Sequence, residues 1–143
     1  MPQSAYDIKA KETEQIVQEI KEKYPNVRFY YSEIPFCGVY AYKQQDMQVV
    51  KEASEAVEKY WADKFKEHDF KDMDEDERRE VMIRLEQEAN DCANEITLKR
   101  CVLYPYNFSQ QYDDKNVASG VIPVLLDKIM VISGWHDVEV LEA

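Results

Sequence analysis

The segment Ser119 to Trp135, SGVIPVLLDKIMVISGW, constrains this fold more than any other part of the chain. It is almost wholly apolar, inside a sequence that carries 29 acidic against 18 basic side chains and a formal charge of -11. A membrane-spanning helix needs about 20 apolar residues. This run is shorter and places Asp127 and Lys128 at its middle, so it predicts a helix of about three turns packed into protein. Ser119 or Gly120 can open that helix, Pro123 falls in the first turn where a missing N–H is tolerated, and Gly134 suits its C-terminal cap. Val121, Ile122, Val124, Leu125, Leu126, Ile129, Met130, Val131 and Ile132 cannot all point one way. A helix apolar around most of its circumference is either central to a core or shared between a core and a partner.

A length of 143 residues suits one domain with a real core. The parts read as an N-terminal helix in 1–25, a β-hairpin in 26–43, a long helical pair in 44–104, and a loop with the apolar helix in 105–143. The expected class is therefore α+β, mostly helical, in a single domain. The acidic balance repels phosphate backbones and anionic bilayers, which argues against direct nucleic-acid or membrane binding. Cys37, Cys92 and Cys101 are odd in number and form no C-x-x-C pair, so the expectation is reduced thiols in an intracellular setting, without a disulfide framework or zinc knuckle. The N-terminal MPQSAYDIKAKETEQ has no secretory signal pattern.

Ile8, Ile16, Val17, Ile20 and Tyr24 keep a helical period up to Pro25 and Asn26, which end the first helix. Two runs rich in β-branched and aromatic residues follow, Val27 to Ser32 and Phe36 to Lys43. They predict a hairpin joined by a loose loop around Ile34 and Pro35, since no Asn-Gly or Asp-Gly turn is present. Met47, Val50, Val57, Trp61 and Phe65 then form one helical stripe, widened by Ala53, Ala56 and Tyr60, on a helix reaching about His68. Asp74 with Glu77 has capping-box spacing and predicts the start of a second long helix. Its apolar face runs through Val81, Met82, Leu85, Ala89, Cys92, Ala93 and Ile96 toward Cys101 and Leu103, and Pro105 stops it. The segment YPYNFSQQYDDKNVAS has no helical period and reads as an ordered loop.

No reaction emerges from these residues. Asp72, Asp74 and Asp76 alternate like the start of a calcium loop, but Glu77 replaces the turn glycine and Ile83 the final glutamate, so a solvated acidic helix start is the better reading. His68 and His136 belong to no close ligand pair, and three glycines leave no phosphate-cradling loop or nucleophile elbow. No cofactor or metal is expected, and an enzyme is disfavoured. A small enzyme built on Asp, His136 and Cys101 is the weakest alternative. Tyr30, Tyr31, Tyr40 and Tyr42 fit strand propensity and core packing. Tyr104, Tyr106, Phe108 and Tyr112, by contrast, crowd a polar segment, as aromatic anchors do at protein interfaces.

The order of CVLYP, a polar loop and ASGVIPVLLDKIMVISGW resembles small tail-assembly proteins of tailed bacteriophages, known as tail assembly chaperones or baseplate assembly proteins. The elements that carry the likeness are Cys101, Leu103 and Pro105; Ala118 and Gly120; Leu125 or Leu126 with Ile129 or Met130; and Ser133, Gly134 and Trp135. The IPFCGVYAYK segment is similar to the family's short β-element. About a third of the chain is covered, and the helical middle from Gln44 to Lys99 is longer than the family's compact pattern. The resemblance implies a non-enzymatic protein that binds other tail or baseplate proteins during virion morphogenesis, in the host cytoplasm or retained in the particle. Its expected contact residues are Tyr104, Tyr106, Phe108, Tyr112, Leu125, Leu126, Ile129, Met130 and Trp135. The rival is an acidic inhibitor that imitates DNA, with Glu52, Glu55, Glu58, Asp74 to Glu77, Glu86 and Glu88 standing in for phosphates; a virion structural component is the other alternative.

Overall fold

A computed structural model describes residues 5–135 and 140–142, with side chains from residue 11 onward in the first helix. His136 and the side chain of Ile8 lie outside the described residues. The chain divides into two compact units, one made of Met1–Gln44 with Cys101–Ala143, the other of Gln45–Arg100. The class is the one expected, α+β and mostly helical.

In the first unit, helix α1 (Ala5–Lys23) closes on Lys21 and Lys23, cations that favour a helix C-terminus. Strands β1 (Tyr30–Ile34) and β2 (Gly38–Tyr42) form the expected hairpin, in antiparallel register from Tyr30 opposite Tyr42 to Ile34 opposite Gly38. The first strand starts later than Val27 and takes in Ile34, so the loop shrinks to Pro35, Phe36 and Cys37. A third strand, β3 (Val102–Tyr104), pairs antiparallel with β2 and gives the order β1-β2-β3. Sequence periodicity did not reveal it. As the central strand, β2 buries the consecutive residues Tyr40, Ala41 and Tyr42; burial on both faces removes the alternation expected of a half-exposed strand. Thr13 of α1 donates to Glu33 Oε1 at 2.5 Å, which fixes α1 against the sheet.

The segment expected to be a loop contains a short helix, α4 (Phe108–Asp113). Phe108 anchors it by packing edge-on against Tyr40 at 6.3 Å between ring centroids. This burial is a tertiary contact that a six-residue helix has no periodicity to announce. The apolar run then forms α5 (Val121–Ile132), as its caps predict.

The second unit is a helical pair. Helix α2 (Met47–Glu67) is capped by Asp46, whose carboxylate accepts from the Val49 N–H at 2.9 Å. Helix α3 (Glu75–Cys101) begins at the expected cap, with Asp74 accepting from the Glu77 N–H at 2.7 Å. Between them a single 3₁₀ turn (Phe70–Asp72) is opened by Asp69, which accepts from the Lys71 N–H. Asp69 and Asp74 are thus engaged by helix-start N–H groups, as at a solvated acidic helix start. Among the described residues, no group of three or more His, Cys, Asp or Glu side chains could hold a metal, and no helix is long and apolar enough to cross a membrane.

Cross-helix bonds give the pair its antiparallel sense: Gln45 to Thr97 at 3.0 Å, Arg100 to Glu52 at 2.7 Å, and the Tyr60 hydroxyl to Glu88. Positions 45, 52 and 60 therefore face α3, and Val49 and Ala53, between them, are buried. This corrects the apolar stripe read from the sequence. Val50 and Val57 stand one residue step, about 100°, round the helix from that side and are only partly covered. Met47 and Phe65 are exposed. At the turn end, Trp61, Phe65 and Phe70 stack on one another, with centroids 5.8 and 5.4 Å apart.

Candidate functional site

The expected contact surface lies in the first unit, where α5 carries three lines of residues. Val121, Leu125 and Ile129, spaced four apart, are fully buried. Ile122, Leu126, Met130 and Ile132 are half-buried. Val124, Val131 and Trp135 remain outside, with Val131 50 % and Trp135 60 % exposed. Val124 and Val131, seven residues apart, share one side of α5, Trp135 follows beyond its C-terminal stop, and the charges of Asp127 and Lys128 lie exposed beside the two valines.

The end of α5 is built to a definite pattern. The Trp135 N–H reaches the Met130 carbonyl at 3.0 Å and the Gly134 N–H the Val131 carbonyl at 3.2 Å, while Gly134 adopts φ 89°. These are the paired bonds of a Schellman cap, and the left-handed conformation is why glycine stands there. Ser133 donates its hydroxyl to the Ile129 carbonyl at 2.5 Å, and Gln44 donates to the Ile132 carbonyl at 2.6 Å. Ser-Gly-Trp is thus a helix stop that also turns Trp135 outward.

The aromatic residues expected at the interface separate into two groups. Tyr106 is exposed at 45 %, stacks edge-on with Tyr104 at 5.1 Å, and lies under the Lys23 ammonium, 3.8 Å from its ring centroid. Partial burial, then the nearby Glu19 charge, pushes its phenol pKa up. Tyr104 and Tyr112 are half-buried. Phe108, Leu125 and Ile129 require correction: they are core residues with no surface to offer, because α4 and α5 turn these side chains inward. The accessible part of the predicted set is Tyr106 and Trp135, with the partly covered Tyr104, Tyr112, Leu126 and Met130.

Sequence reasoning missed the hairpin end. The Cys37 N–H bonds to the Ile34 carbonyl at 2.9 Å, closing a turn with Pro35 and Phe36 at its centre. Phe36 sits at φ 66°, a left-handed position that this turn normally gives to glycine or asparagine, and its ring is fully exposed. The signal was present in Pro35, which favours the first central position of a turn, but nothing local told Phe36 from a strand residue.

Two clefts adjoin this turn. One, of about 360 Å³, lies among Glu12, Ile16, Val39, Tyr40, Tyr104 and Pro105. The other, of about 540 Å³, is bordered by Phe36, Asn107, Gln110, Asp114 and Asn116. Both share Cys37, Tyr40 and Gln111. Burial and then Cys37 raise the Tyr40 phenol pKa, so Tyr40 presents a neutral hydroxyl.

The alternatives meet specific geometry as well. Cys101 is completely buried, with its thiol 3.9 Å from the Gln44 carbonyl oxygen. Of the carboxylates suggested as phosphate mimics, Glu52 is held by Arg100, whose hydrogen bond keeps its pKa below the usual range, and Glu88 accepts from Tyr60. Compared with protein-family models, with curated proteins and with solved structures, the chain has no significant match.

Proposed function

We propose that this protein is a non-enzymatic binding component that assists assembly of a phage tail or baseplate, using the outer side of α5 together with Tyr106. The observation that carries the binding role is the exposed pair Val124 and Val131 on a helix whose opposite line is fully buried, with Trp135, 60 % exposed, just past the helix stop. An apolar row left in water beside a satisfied core favours contact with another protein. The phage setting comes from the likeness of Cys101 to Pro105 and Ala118 to Trp135 to tail-assembly proteins. The buried Cys101 and the engagement of Glu52 and Glu88 make the enzyme and DNA-mimic readings less economical.

The test is capture of partners by the tagged chain from phage-infected cells, in wild-type and Trp135→Ala forms, with melting curves of both. Recovery of tail or baseplate proteins by the wild type, reduced in a variant that melts normally, is the expected result. A nuclease or polymerase in their place, with binding that collapses as salt rises, would transfer the assignment to DNA mimicry.

A further inference from the structure

We propose that the hairpin end of the first unit is a second docking site, which takes a segment of a partner protein carrying a Lys or Arg beside an apolar side chain. The site is independent of the outer side of α5 and of the phage setting. Its two recesses adjoin through Cys37, Tyr40 and Gln111 but differ in chemistry. The smaller has apolar walls in Ile16, Val39 and Pro105. The larger is edged by amide side chains and Asp114, whose carboxylate accepts from Gln110 at 2.9 Å and keeps its other oxygen for a further donor.

Charge decides the occupant. Among the described residues no Lys or Arg lines either recess, while Glu12 borders the first and Asp114 the second. A cationic side chain entering here meets carboxylates and amide oxygens without repulsion, and the chain's charge of -11 attracts it from a distance. A second copy would bring the same negative charge to the same acidic rims. An acidic or phosphorylated segment would be repelled in the same way.

Phe36 supplies the apolar anchor. Its left-handed backbone disfavours any residue with a Cβ, and its exposed ring returns no burial to the fold. At the rim of the larger cleft, it offers the partner a large rigid surface beside the cation's recess.

The test uses the full chain and a displayed random-peptide library, with selected peptides measured by fluorescence anisotropy. Selected sequences are expected to combine Lys or Arg with aromatic or branched aliphatic residues. Phe36→Gly is expected to weaken them about 10-fold or more, as loss of an interface anchor does. Asp114→Asn is expected to weaken them and flatten their salt dependence, and Ile83→Ala, an exposed site in the other unit, to leave them unchanged. Melting curves separate these effects from unfolding. The proposal is overturned by selection of no peptide above the Phe36→Gly background, by selected peptides without a cation, or by equal affinity in Phe36→Gly. Sedimentation that reveals self-association dependent on Phe36 would also overturn it, by assigning the face to a second copy.

Discussion

Replacing Phe36 with glycine is expected to make the fold more stable. A residue with a Cβ pays about 1–2 kcal/mol in the left-handed region, and glycine removes that term. Against it stands glycine's greater freedom in the unfolded chain, about 0.5–1 kcal/mol. The ring is fully exposed, so no buried apolar area is lost with it. The net expectation is a gain of about 0.5–1 kcal/mol, equivalent to a rise of about 1–4 °C in Tm for a chain of this size. Thermal melting followed by circular dichroism, with urea titration beside it, measures this directly. Phe36→Ala keeps the backbone strain and serves as the control, with no gain expected. If Phe36→Gly melts below the wild type, the ring is packed against its own chain and the reasoning about an exposed, strained anchor fails.

Three further outcomes follow from the packing and the charges. Leu125→Ala is expected to lose about 2–5 kcal/mol because the side chain is wholly buried, whereas Val131→Ala should change stability by less than about 0.5 kcal/mol, both read from urea unfolding. Asp74→Ala removes the cap of α3 and should cost about 1 kcal/mol, an effect that Asp74→Ser largely restores. Glu52, held below the usual glutamate range by Arg100, contributes stability that is present above its unfolded pKa and is lost as pH falls through the lower folded value. Stability measured across that acid range should fall less steeply in Glu52→Gln, and an unchanged slope would remove the pair from the account.

What the sequence made legible was set by local chemistry. Pro25, Asp74 and Gly134 mark element ends because a ring, a carboxylate and a missing Cβ act on their immediate backbone. Strand β3 and helix α4 were illegible because distant residues create them: β2 pairs with Val102 and Tyr104, and Tyr40 packs against Phe108. The apolar excess of α5 was plain, yet Leu125 and Val124 differ by one helical step, and only the packed unit decides which is buried. The same limit misassigned the stripe of α2, whose side toward α3 is marked by Gln45, Glu52 and Tyr60. Phe36 escaped notice because its aromatic character reads as strand while its backbone belongs to a turn.

If the outer side of α5 meets another protein, a photo-crosslinking residue placed on that surface will capture it. With Val131→p-benzoylphenylalanine in infected cells, irradiation is expected to join the chain to a tail or baseplate protein, identified by mass spectrometry, and Trp135→Ala in the same chain should diminish the adduct. An adduct only with a nucleic-acid enzyme, or no adduct while the protein is folded and abundant, would contradict the account.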